Sequence, residues 1–178
     1  SSLFLVSIIF IKFFLYINLG NYIFDELDIL LVSAFCFLLI NKQFIKLGKI
    51  YLGDSGSMFL GFVVSVYLIY YSNVYLYIPP SIVFWFVAVP VLDFFAVILI
   101  RVLNKKNPMV GDTQHFHHVL LKKGYSENFV LIFLVSLSIL FSLIGILVNN
   151  FTNDIISVLL FVCILIFYLF YRIKDIKY

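Results

Sequence analysis

Six apolar stretches dominate this chain, at roughly residues 3–17, 29–40, 57–71, 78–100, 128–148 and 155–171. A helix that crosses a bilayer needs about 20 predominantly apolar residues. Most of these stretches approach that length, and the shortest, 29–40, must borrow flanking residues or lie as a re-entrant or interfacial segment. Composition agrees: 64% of the residues are hydrophobic and 12% charged, against roughly 45–50% and about 25% in an ordinary soluble domain. A water-soluble globule is excluded. The expected fold is an all-α, polytopic integral membrane bundle of about six transmembrane helices, with residues 1–178 forming one membrane domain.

The basic residues test that topology. Lys42, Lys46 and Lys49 fall in one gap, Arg101, Lys105, Lys106, Lys122 and Lys123 in another, and Arg172, Lys174 and Lys177 in the tail. The alternate gaps hold acids or no charge, with Asp25, Glu26 and Asp28 near the first and Asp154 near the last. Eleven of the 12 basic residues therefore share one face, which the positive-inside rule makes cytoplasmic. Only Lys12 lies inside an apolar stretch. Both long polar loops, 41–56 and 101–127, are then cytoplasmic, and chemistry is expected there. The net charge of +3 gives no reason to expect nucleic acid. Cys36 and Cys163 sit in apolar runs without C-x-x-C spacing and read as small core residues. No charged n-region precedes Leu3, so the start is not read as a signal peptide.

The first loop closes on Gly53-Asp54-Ser55-Gly56-Ser57, just ahead of an apolar run. Asp and Ser can simply cap a helix. A glycine- and serine-rich helix start also leaves backbone N–H groups open to phosphate, while a neighbouring carboxylate can hold Mg²⁺. Gly-Asp-Ser-Gly also resembles the nucleophile region of trypsin-like proteases, which six apolar spans exclude, and of rhomboid intramembrane proteases. The rhomboid reading needs a histidine on another membrane helix within reach of Ser55, and all three histidines lie in a polar loop.

That loop reads Asp112-Thr-Gln-His115-Phe-His117-His118, with Lys122 and Lys123 beyond it. On a continuous helix Asp112, His115 and His118 would share a face and His117 would turn away. Zinc binding, recognition of an anionic substrate by imidazole and lysine donors, and a plain solvated loop all remain open. Asp93 precedes Arg101 by about 12 Å of helix. An acid at that depth is costly and faces a bundle interior or a watered cavity. It acts in catalysis or a relay, or it is structural, paired with Lys12 or satisfied by Asn or Ser.

Tyr51-Leu-Gly-Asp-Ser-Gly-Ser-Met-Phe-Leu-Gly-Phe62, Pro90-Val-Leu-Asp93 and Asp112-Thr-Gln-His-Phe-His-His118 together resemble the polyprenyl-phosphate N-acetylhexosamine-1-phosphate transferases. This membrane superfamily includes the enzymes that begin several bacterial surface glycans and the translocase that makes the first lipid intermediate of peptidoglycan. The resemblance implies transfer of a sugar 1-phosphate from a UDP-sugar to undecaprenyl phosphate, with release of UMP, at the cytoplasmic face of the bacterial inner membrane. It implies that Asp54 holds Mg²⁺, with Mn²⁺ as a substitute. It also puts His115, His117 and His118 in the catalytic site and Gly53, Ser55, Gly56, Ser57, Asp112 and Lys122 among the substrate-binding groups. Two departures stand out: the family's upstream acidic motifs are absent from these residues, and Thr113 occupies a usually basic position. The chain therefore reads as a C-terminal portion expected to be inactive alone. A rhomboid-like protease and a non-enzymatic transporter or assembly subunit are the rival readings, and the oligomeric state is not legible.

Overall fold

The computed structural model describes residues 2–19, 26–41, 53–74, 77–105, 107 and 115–176. All six apolar stretches form helices, and no strand occurs among the described residues. In chain order these are α1 (Ser2–Leu19), α2 (Glu26–Asn41), α3 (Gly53–Ile69) with a π-helical continuation (Tyr70–Val74), α4 (Pro80–Phe86), α5 (Ala88–Leu103), α6 (Phe116–Lys122), α7 (Glu127–Phe151) and α8 (Asp154–Ile176). Three segments are long and apolar enough to cross a bilayer by themselves, Ser55–Val74, Glu127–Phe151 and Asp154–Lys174, and α4 with α5 makes four if counted as one crossing. α1 and α2 are apolar over the shorter segments Leu3–Ile17 and Leu27–Asn41. Lys42, Lys46, Lys49, Lys106 and Lys177 of the charge pattern lie outside the described residues.

The centre of the bundle is α1. Its Ile8, Ile11, Phe10 and Phe14 are buried together with Leu27 of α2, Val64 and Leu68 of α3, and Ile82 and Phe86 of α4. Phe86 receives the rings of Phe10 and Phe14 at centroid distances of 6.0 and 6.1 Å. Lys12, the one basic residue within an apolar stretch, pairs with Asp28 of α2 at 2.9 Å. Its partner is thus Asp28 and not Asp93, which corrects one structural reading of Asp93. In an apolar surround, an ion pair removes the cost of leaving either charge alone. At the other extreme, only 11% of the α8 segment is buried, and residues such as Ile155, Phe167 and Phe170 are exposed. That suits a helix whose solvent is lipid. Cys36 and Cys163 are free thiols on exposed faces, not core residues.

The stretch 78–100 departs from the straight span expected of it. It bends by 75° between α4 and α5. Pro90 has no N–H, so the carbonyl of Phe86 loses its helical donor, and the proline ring crowds the same turn. Ser7 of α1 replaces the lost donor, its hydroxyl lying 2.7 Å from Phe86 O. Beyond the break the ladder resumes, with Val91 N–H bonded to Val87 O.

Short α4 is held between α7 and α8. Trp85 is buried, donates its indole N–H to Ser157 Oγ at 3.1 Å and meets the Phe161 ring edge-on. One turn earlier the Ser81 hydroxyl donates to Asp154 Oδ1 at 2.6 Å, with the Asn149 amide oxygen 3.0 Å away. Gly145 of α7 makes this approach feasible, because a Cβ there would lie 2.3 Å from Trp85 Cβ. Where water offers no hydrophobic drive, close backbone approach at small residues is a main source of helix association. Gly145→Ala therefore forces α4 and α7 apart and destabilises the folded protein by about 1–3 kcal/mol. A lower thermal midpoint in detergent checks this, and an unchanged midpoint contradicts the contact.

Candidate functional site

The second polar loop is described again from His115 onward. His115 has an extended backbone (φ −58°, ψ 149°) and stands as the N-cap of α6, but its own side chain does not cap the helix. The cap comes from α5. Asp93 Oδ1 accepts the Phe116 N–H at 2.8 Å, and Oδ2 lies 3.0 Å from His115 Nδ1. A carboxylate only accepts, so Nδ1 carries the proton and donates. One intramembrane acid thus satisfies a helix-start N–H that has no intrahelical partner and also orients an imidazole.

His115 and His117 stack with centroids 5.9 Å apart, and the His117 and His118 rings are 4.1 Å apart. The expectation that His117 turns away from a shared face of Asp112, His115 and His118 is corrected here. Helical periodicity does not run through His115, whose backbone is extended. Asp112 and Thr113 lie outside the described residues. Lys122, in the last turn of α6, is exposed. Gly124, at φ +89°, ends this segment: Tyr125 N–H reaches back to Leu120 O, the pattern of a glycine-terminated helix.

Both arginines of the chain belong to this region. Arg101 and Arg172 are 5% and 2% exposed, whereas Lys105, Lys122, Lys123 and Lys174 are exposed. The Arg172 guanidinium carbon sits 5.4 Å from the centre of the Phe116 ring. That ring also meets Tyr168 edge-on at 5.9 Å. The sequence reading gave these two only a topological part and missed their burial. The legible clue was residue type, since guanidinium is less strongly hydrated than ammonium and tolerates burial among aromatic rings better.

Beside Asp93 and His117 opens a cavity of about 420 Å³. Its walls are mostly apolar, including Val89, Leu92, Phe133, Leu137, Phe141 and Ile164, with Tyr168 and Tyr171 adding hydroxyls. The arrangement can take an amphiphile, with the acid and imidazole near its polar end.

The other motif is the opening of α3. Gly53 takes a left-handed φ of +67°, and Asp54, Ser55, Gly56 and Ser57 form the first turn, earlier than the expected start at residue 57. Ser55 is exposed, and Ser57 Oγ donates to Gly53 O at 3.2 Å. The Asp54 side chain lies outside the described part of the structure. α3 packs on α1 and on its π-helical continuation, while α6 packs on α7, so separate parts of the framework carry the two motifs. Among the described residues, no group of three or more His, Cys, Asp or Glu is placed to hold a metal ion.

Similarity to known proteins bears on the family. The chain is 28% identical over 130 residues, 71% of its length, to the undecaprenyl-phosphate alpha-N-acetylglucosaminyl 1-phosphate transferase of Escherichia coli K12. It is 28% identical over 122 residues (66% of the chain) to the protein of that name from Haemophilus influenzae, and 25% over 105 residues (58%) to that from Yersinia pestis. The chain is similar to these transferases over more than half of its own length. It spans about a third of the length of each, 35%, 34% and 29% respectively. No family model matches the chain, and no solved structure does. Neither rival reading gains support: these relatives are named as transferases, and His115 is engaged by Asp93.

The site has a pH signature. The hydrogen bond to Asp93 holds His115 above its ordinary value of 6.5, against burial and the nearby Arg101 and Arg172. His117 is held below 6.5 by burial first and by His118 second. A raised histidine stabilises the fold fully below its unfolded value and loses that contribution as pH rises through the folded one. Amides of α6 should therefore be most protected from hydrogen exchange below about pH 6.5, after correction for intrinsic rates. Protection should fall as pH climbs past the His115 midpoint, and a flat profile would break the assignment.

Proposed function

We propose that this chain carries part of the active site of a membrane enzyme that transfers N-acetylhexosamine 1-phosphate from a UDP-sugar to undecaprenyl phosphate, releasing UMP. The observation that carries the reading is the cavity beside the histidine segment, with an apolar interior and Asp93 and His117 on its wall. An isoprenoid tail fits such walls while its phosphate meets the imidazole of His117. The names of the related proteins supply the reaction class.

In this reading the six apolar segments traverse the bacterial plasma membrane, and residues 41–56 and 101–127 face the cytoplasm, where nucleotide-sugars are found. An oxygen of the acceptor phosphate attacks the phosphorus that bears the sugar. The bond from that phosphorus to UMP breaks, and no water enters. Two anionic partners must approach, so positioning and charge neutralisation dominate the barrier. His115, His117, His118 and Lys122 donate to the donor phosphates, and Asp112 lies on the same loop. Backbone N–H groups of Gly53, Ser55, Gly56 and Ser57 offer a second cradle at the start of α3. Mg²⁺, or Mn²⁺ in its place, would be held by Asp54 and would neutralise phosphate charge. A single carboxylate suits that ion, which usually takes one or two protein carboxylates together with substrate phosphates.

The test uses the full-length protein in membranes or detergent, supplied with UDP-N-acetylhexosamine and undecaprenyl phosphate. The expected products are UMP and a lipid-linked sugar phosphate. Asp54→Asn retains a helix-capping side chain and removes the charge, and should lower turnover by about 10²-fold or more. No product from the wild type, or an unaffected Asp54→Asn variant, overturns the reading. Cleavage of a membrane substrate that is lost in Ser55→Ala would instead identify a protease.

A further inference from the structure

The geometry points to Asp93 as a positioning residue that holds the histidine segment in register and dictates which nitrogen of His115 faces the substrate. This deepens the transferase reading and rests on it for the identity of the reaction. Asp93 is on α5, three residues past Pro90, and its two carboxylate oxygens serve two consecutive residues of a different segment. Oδ1 takes the Phe116 N–H at 2.8 Å, and Oδ2 takes His115 Nδ1–H at 3.0 Å. The carboxylate is 17% exposed and the imidazole 43%.

A carboxylate with two such bonds leaves His115 one neutral tautomer, in which Nδ1 is the donor and Nε2 the acceptor. His115 thereby offers a lone pair at Nε2 when neutral and a cationic N–H donor there when protonated. Either form is useful beside a phosphate; Asp93 selects the tautomer of the first and favours the second. The charges acting on His115 come from several elements: Asp93 and Arg101 on α5 and Arg172 on α8. His117, on α6, stacks on its ring. From α7 the neighbour is the Phe133 ring, against Phe116.

An amide in place of the acid separates this role from simple capping. In Asp93→Asn, the side-chain oxygen can still accept the Phe116 N–H, so the start of α6 is preserved. The amide NH₂ then faces Nδ1, which must become the acceptor, and the proton moves to Nε2. The experiment combines transfer kinetics on the full-length protein with nitrogen NMR of the protein labelled with ¹⁵N-histidine. In Asp93→Asn, kcat for transfer should fall by about 10²-fold while KM for the UDP-sugar stays within a few-fold. The limb of the pH–rate profile governed by His115 should move to lower pH. The NMR spectrum should show His115 switching from the Nδ1–H to the Nε2–H tautomer, with a lower titration midpoint. In a His115→Gln background, Asp93→Asn should cost little more, because the two act as one unit.

A role confined to capping predicts otherwise: near-normal kcat in Asp93→Asn, no change in the pH profile, and additive losses in the double variant. Any of these overturns the proposal. If the wild type transfers no sugar phosphate, the transferase reading fails instead, and the tautomer and titration of His115 still decide whether Asp93 controls it.

Discussion

A carbonyl without its helical donor organises the middle of this protein. Pro90 strips Phe86 O of its N–H, and in a medium that contains no water the orphaned acceptor has to find another donor. Ser7 of the central helix provides it at 2.7 Å. The bend this permits lets α4 set Trp85 against Gly145 of α7 and pack between α7 and α8, while α5 departs at 75° carrying Asp93. One turn past the break, Asp93 meets the histidine segment. Site and core therefore share a cause, since the residue that interrupts the span also aims the acid.

The same principle governs the other polar groups in the apolar helices. Lys12 finds Asp28, Ser81 finds Asp154, and Trp85 finds Ser157, each across a helix interface. Such pairs contribute modestly to net stability but strongly to register, because any sliding of one helix leaves a charge or a hydroxyl unsatisfied in hydrocarbon. Asp93 differs from these in its partner. It bonds a segment that belongs to no membrane span, and a cavity opens beside it. That combination sets it apart from the structural acids.

Much of this was legible in the residues. The apolar runs announced the helices, and the Gly53–Ser57 and His115–His118 motifs marked the two polar segments and carried the resemblance. Other features were not legible. The helical spacing of Asp112, His115 and His118 suggested a shared face, but His115 is the extended residue that begins the helix, so His117 stacks against it instead. Lys12 was a stray charge in the sequence and is half of an ion pair in the fold. Arg101 and Arg172 looked like their lysine neighbours until burial distinguished them.

Sequence alone determined the all-helical membrane class and the chemical identity of the candidate groups, because apolar run length and residue type are local properties of the chain. Tertiary structure decided which groups cooperate. Asp93 and His115 are 22 positions apart with a loop between them, and no periodicity relates them. Their pairing depends on the direction in which α5 leaves the break at Val87, and that direction follows from packing of α5 against α7 and α8 as well as from the proline that interrupts the ladder.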